Sequence, residues 1–190
     1  MELFGLGSNP KTFEFKCTAC GEIHRGSPSF GYNKPGEYYS VPEAEIARAV
    51  TLTEDLCTIA PPMHIPDGET AYFIRTTLDI PIDGADEPFT WGVWVSQSKE
   101  SFERYRDSFS DDQTGEGSFG WLGVWMPPYN RRTDDEPIEY LSCDVDWGAA
   151  GLRPTVMLQE CDHPLYSDQQ NGLSWDRAIE IAMQIMHGKK

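Results

Sequence analysis

No stretch of this chain approaches the roughly 18 consecutive apolar residues that cross a bilayer as a helix, so a membrane-spanning role is not expected. The opening Met1-Glu2-Leu3-Phe4 has no basic region and no apolar run of signal length, so the chain is expected to stay in the cytoplasm where it is made. Basic residues are scarce: 15 Lys and Arg stand against 31 Asp and Glu, a formal net charge of −16. A surface that negative repels phosphates and anionic head groups, which disfavours nucleic acid and membranes as partners. Solubility, a basic protein partner, or cation binding are the uses left for such a charge. The five cysteines are odd in number and lack the dense spacing of a secreted disulfide scaffold, which fits a reducing compartment. The chain has no phosphate loop, dinucleotide fingerprint, nucleophile elbow, His-Glu-x-x-His or EF-hand spacing.

What is present suits a folded chain. At 190 residues with 39% apolar side chains, one domain over 1–190 can bury roughly 70% of its unfolded surface. Residues 11–26 read as a hairpin: Phe13 and Phe15 alternate in a strand, Thr18-Ala19-Cys20-Gly21 turns, and Glu22 to Arg25 returns. The body, about 40–188, opens on a helix over Pro42–Val50 capped by Ser40. Strands follow over Tyr72–Ile82 and Pro88–Gln97, joined by Asp83-Gly84-Ala85-Asp86 as a hairpin. A short amphipathic helix covers Lys99–Phe109, and a polar linker runs from Ser110 to Ser118. Strands at Phe119–Met126, Ile138–Trp147 and Leu152–Gln159 precede a last helix capped by Ser174, with an apolar stripe from Trp175 to Met186. The fold class is therefore α+β: a mostly antiparallel sheet covered on one side by two or three helices, with an N-terminal zinc-knuckle-like hairpin. Phe89-Thr90-Trp91-Gly92-Val93-Trp94 is echoed by Phe119-Gly120-Trp121-Leu122-Gly123-Val124-Trp125, which predicts neighbouring strands with indoles packed over glycines or lining a cleft.

Cys17-x-x-Cys20-Gly21-x-x-His24 carries the sharpest chemistry, because a tight turn aims two thiolates at one ion with an imidazole close by. That is three tetrahedral ligands, and a structural zinc needs a fourth from Cys57, Cys143, Cys161, His64 or His163. Cys143 alternates with apolar Leu141 and Val145 as a packing residue would, so Cys57 ranks first and His163 second. A dithiol without metal is the alternative, although no βαβ pattern surrounds it. Cys161 and His163 lie two apart and can share a strand face as a nucleophile and base, or His163 can simply bond backbone. Asp144 and Asp146 share a polar strand face, and acidic runs stand at Asp111-Asp112 and Asp134-Asp135-Glu136 in loop-like contexts that suit solvation better than catalysis.

Taken in order, Phe15-x-Cys17-x-x-Cys20-Gly21-x-x-His24, Asp55-x-Cys57, Trp91-Gly92-Val93-Trp94-Val95-Ser96, Gly120-Trp121-Leu122, Arg153-Pro154 and Asp162-His163-Pro164-Leu165 resemble an uncharacterised bacterial family, the domain of unknown function numbered 2199. The resemblance spans about residues 13–186 and implies that Cys17, Cys20, His24, Cys57 and His163 occupy recurring positions of that family. It brings no activity. The acidic stretch from Arg131 to Glu139 is longer than the family pattern. With no complete catalytic constellation, the expected function is a non-enzymatic, immunity- or inhibitor-type module that meets a basic protein and carries structural zinc. A metal-dependent hydrolase and a zinc or thiol redox sensor are the alternatives.

Overall fold

The computed structural model describes residues 11–63, 68–130 and 138–188. Its first elements are strands β1 (Glu14–Lys16), β2 (Ile23–Arg25) and β3 (Ser29–Gly31), helix α1 (Glu43–Ala49), and strands β4 (Val50–Leu52) and β5 (Leu56–Ile59). Then come β6 (Ala71–Ile80), β7 (Phe89–Gln97), α2 (Lys99–Ser108), β8 (Gln113–Gly123), β9 (Tyr140–Gly148) and β10 (Thr155–Leu158). Helices α3 (Pro164–Asn171) and α4 (Trp175–His187) finish the chain, so four helices rather than two or three occur among the described residues. No helix among them is long and apolar enough to cross a membrane.

Strict alternation makes β6 and β7 the backbone of the fold. They pair antiparallel along their whole length, from Tyr72 opposite Gln97 to Ile80 opposite Phe89. Each then divides its outer edge between two neighbours. Strand β6 bonds β5 through residues 71–74 and β10 at Thr77, and β7 bonds β3 through residues 90–92 and β8 at Val95 and Ser96. Because β10 returns to β6, strands β6, β7, β8, β9 and β10 close into a five-stranded barrel. This corrects the expected open sheet covered on one side. Closure needs a strand that bends, and β8 supplies it: its register with β9 slips between Gln113 and Gly117. A Cβ on Gly117 would stand 2.5 Å from the Val145 carbonyl oxygen, and one on Gly120 would stand 2.4 Å from Val95 Cγ1, so only glycine permits that approach.

Inward residues of the barrel, among them Ile74, Leu78, Trp91, Val95, Leu122, Val145 and Trp147, are buried in one core. Helix α2 covers it with Phe102 and Tyr105, α3 with Leu165, and α4 with Ala178, Ile181 and Ala182. A smaller core on the other side of the sheet holds Cys57, Phe73 and Trp94.

Several element assignments differ from the sequence reading. Ser40 closes a 3-10 turn, and α1 starts after Pro42 with no side-chain cap. Most of the polar linker is the first half of β8, whose exposed Thr114-Gly115-Glu116-Gly117 has no apolar alternation to reveal it. Helix α3 lies where a loop is expected. The acidic run at Asp134-Asp135-Glu136, and the stretch from Arg131 that distinguishes the chain from the family pattern, fall outside the described residues up to 137.

Candidate metal centre

The site begins with a turn. Strands β1 and β2 pair antiparallel with Phe15 opposite His24, and the two rings stack 5.2 Å apart. Between the strands Gly21 adopts φ +79°, a conformation open to glycine at little cost, while its N–H donates to the Cys17 carbonyl at 2.9 Å. The Cys17 N–H in turn donates to the Glu22 carbonyl at 2.8 Å, which locks the turn. Cys20 Sγ then lies 3.4 Å from His24 Nε2.

The hairpin rests on α4, and α4 completes the cluster. Phe13 packs against Trp175 at 4.7 Å, Thr18 Oγ1 approaches Met183 Sδ at 3.9 Å, and Cys17 Sγ lies 3.2 Å from His187 Nε2. Ligand atoms of Cys17, Cys20, His24 and His187 all lie within 4.8 Å of one another. A tetrahedral zinc with sulfur at about 2.3 Å and nitrogen at about 2.0–2.1 Å has S···N edges of about 3.5 Å, close to both contacts. Two thiolates and two neutral imidazoles also balance the charge of a divalent ion, which suits a site whose Cys17 is fully buried. The N–H groups of Cys20 and Ala19 bond the Cys17 sulfur and hold its pKa below the ordinary thiol value despite burial.

The structure brings Cys17, Cys20 and His24 together and places Cys57 and His163 elsewhere. Cys57 sits on β5 opposite Phe73, packed with Trp94, and burial pushes its thiol up to about 12, so it is a neutral packing residue at pH 7. Cys143 is likewise buried inside the barrel and pushed up to about 12. His163 caps α3, its Nδ1 accepting the Leu165 N–H at 3.1 Å, and its Nε2 lies 3.4 Å from Glu139 Oε2. That cap engages the nitrogen a general base would need, and desolvation raises the Cys161 thiol, so this pair is not poised for nucleophilic work. His64 lies outside the described residues. His187 is missing from the sequence reading because it is 170 residues from Cys17. One signal does point to it: Trp175, Ile179, Met183 and His187 follow at steps of four, so the imidazole continues the face that meets the hairpin.

The chain matches, over residues 16–173, the family described as uncharacterized proteins conserved in bacteria. It belongs to DUF2199. The DUF2199 match includes Cys17, Cys20 and His24 and stops short of α4. Two motifs that carry the family likeness meet in space, since Arg153 Nε donates to Asp55 Oδ1 at 2.7 Å. No curated protein and no solved structure matches this DUF2199 chain.

An aromatic cleft of about 200 Å³ lies apart from the cluster, between Tyr32, Tyr39, Trp94 and Trp125. Among the described residues its lining has one charged side chain, Lys34, whose ammonium lies 3.8 Å over the Tyr38 ring, and no acid–base pair. The different thiol environments have a direct readout. In native, metal-stripped protein, iodoacetamide is expected to label exposed Cys20 and to spare Cys57 and Cys143 until denaturant is added, as read by peptide mass spectrometry.

Proposed function

We propose that this DUF2199 chain is a non-enzymatic, cytoplasmic protein-binding module of the immunity or inhibitor type, whose N-terminal hairpin is fastened by a structural zinc ion. The zinc ligands would be Cys17, Cys20, His24 and His187, with the Cys17–Cys20 turn acting as a zinc knuckle. One observation carries this reading: four donor atoms from one chain gather within 4.8 Å. Four protein donors leave no coordination position for water, the arrangement of structural rather than catalytic zinc. The ion would tie β1 and β2 to the last turn of α4. All five cysteines are free thiols, in keeping with a reducing compartment.

The charge of −16 supports a basic protein as partner and speaks against nucleic acid or anionic membrane. Elemental analysis of protein purified without added metal is the test of the zinc centre. We expect about one zinc per chain; protein that stays below about a tenth of that after reconstitution with zinc has no such centre.

A further inference from the structure

Among the described residues, the outer face of β8, β9 and β10 carries exposed apolar side chains. Alternation along β8 turns Gly120 and Leu122 inward and Phe119 and Trp121 outward, where each is about half exposed. Strands β7 and β8 are neighbours as expected, with Trp91 and Trp94 buried and Trp94 and Trp125 lining the cleft, but Trp121 faces outward. Phe119 and Trp121 touch edge to face at 5.4 Å. Across the barrel wall, Phe119 stands opposite Asp144 of β9, and Asp144 stands opposite Met157 of β10, itself about half exposed. A shallow groove of about 490 Å³ follows, floored by Gly117 and lined by Phe119, Asp144, Asp146 and Met157.

Asp144 and Asp146 project from the same side of β9, about 6.6–7 Å apart along the strand. Neither carboxylate has an Arg or Lys partner among the described residues: Asp144 accepts from Gln159 Nε2 and Asp146 from the Gly148 N–H. The nearby guanidinium of Arg104 is already paired with Glu116. Asp144 between Phe119 and Met157, with Asp146 beside it between Gly117 and Thr155, puts two unneutralised carboxylates next to an aromatic pair and a thioether, the chemistry that receives cations. The carboxylates take guanidinium hydrogen bonds, and the ring faces take cation–π contact and the alkyl stems. Exposed apolar surface rimmed by polar groups marks interaction sites, and a second copy of a chain carrying −16 would be repelled from it.

We propose that the outer face of β8, β9 and β10 binds an extended, arginine-bearing segment of a partner protein, with basic side chains two residues apart seated on Asp144 and Asp146. This rests on the reading of the chain as a protein-binding module. Trp121 and Phe119 form the apolar anchor, and the carboxylates set register and charge preference.

The test is fluorescence anisotropy at physiological ionic strength, with a labelled peptide of alternating Arg and Thr and with the purified full chain. Phe119→Ala/Trp121→Ala and Asp144→Asn/Asp146→Asn are each expected to weaken binding by about tenfold or more. Asp111→Asn/Asp112→Asn removes the same charge elsewhere and is expected to change it by less than about twofold. Trp121→Phe, which keeps a ring, should restore most of the affinity, and unchanged melting temperature and zinc content would exclude misfolding. Equal weakening by the Asp111/Asp112 control, or binding indifferent to both face variants, would overturn this face and leave the module reading standing. No peptide binding even at low salt would overturn both, as would a homodimer built through Phe119 and Trp121.

Discussion

Removing the zinc proposed for the Cys17–Cys20–His24–His187 cluster is expected to lower the melting temperature by about 8–16 °C. An ion present at a thousand times its dissociation constant stabilises the folded state by about 4 kcal/mol, and a chain of this size moves about 2–4 °C per kcal/mol. The mechanical reason is the span of the clamp, which joins positions 170 residues apart. Without the ion, β1 and β2 are only 3 residues each and keep α4 through Phe13–Trp175, Thr18–Met183 and the Trp175 Nε1–H donating to the Glu14 carbonyl at 3.3 Å. His187→Ala should weaken zinc by at least about a hundredfold, since losing a residue that merely orients a ligand already costs roughly 10–100-fold. Cys57→Ala separates the two candidates for the fourth ligand. It opens a small cavity beside Phe73 and Trp94 at a cost of about 1 kcal/mol, yet should retain full zinc. Loss of zinc in Cys57→Ala with retention in His187→Ala, read by calorimetric titration, would reverse the assignment.

The same centre fixes the sign of the pH dependence. Its donors bind metal only when deprotonated, so the stability gap between loaded and stripped protein should close as pH falls. In stripped protein the Cys17 thiol is held below its ordinary value of 9.0 by the Cys20 N–H. A depressed folded pKa contributes stability that is complete above the unfolded value and disappears as pH falls through the folded one.

Two kinds of information differ in how far they can be read from the chain. Side-chain alternation assigns faces, so Ile74, Thr76, Leu78 and Ile80 are legible as one buried row, and the cap at Ser174, whose side chain accepts from the Arg177 N–H, is equally local. Pairing partners are not local. The parallel contact that closes the barrel rests on Thr155 opposite Thr77, supported by the Thr77 N–H donating to the Pro154 carbonyl at 2.8 Å. No periodicity encodes that. Helix α3 is hidden for a similar reason: it buries only Leu165 and Gln169, and its cap is a histidine rather than the usual Ser, Thr, Asp or Asn. Three of the four donors in the cluster are legible because one turn positions them. The fourth depends on where α4 docks, which is a property of the packed barrel. Cys57 is misleading because a buried strand cysteine and a ligand cysteine are the same letter; only burial beside Phe73 and Trp94 tells them apart.

Trp91→Ala is the other large effect expected, a loss of about 3–5 kcal/mol in urea unfolding. Trp91 is 1% exposed and meets Phe89 at 5.3 Å, Phe30 at 6.0 Å and Tyr129 at 6.4 Å, so removing the indole opens the centre where β3, β6 and β7 converge. Its Nε1–H, however, is buried without a hydrogen-bond acceptor among the described residues. An unsatisfied buried donor costs about 1–3 kcal/mol, so Trp91→Phe removes a penalty along with part of the ring and should cost less than about 2 kcal/mol. Trp147 provides the contrast. It is equally buried, but its Nε1–H donates to Ser118 Oγ at 3.1 Å, and Arg104 lies 5.0 Å over its ring. Trp147→Phe gives up a satisfied bond and weakens that cation contact, so it should destabilise more than Trp91→Phe despite the same change in composition. Denaturant midpoints at constant slope decide the order. A Trp91→Phe variant as unstable as Trp91→Ala would mean that the indole N–H is satisfied in solution and that ring volume alone governs the site.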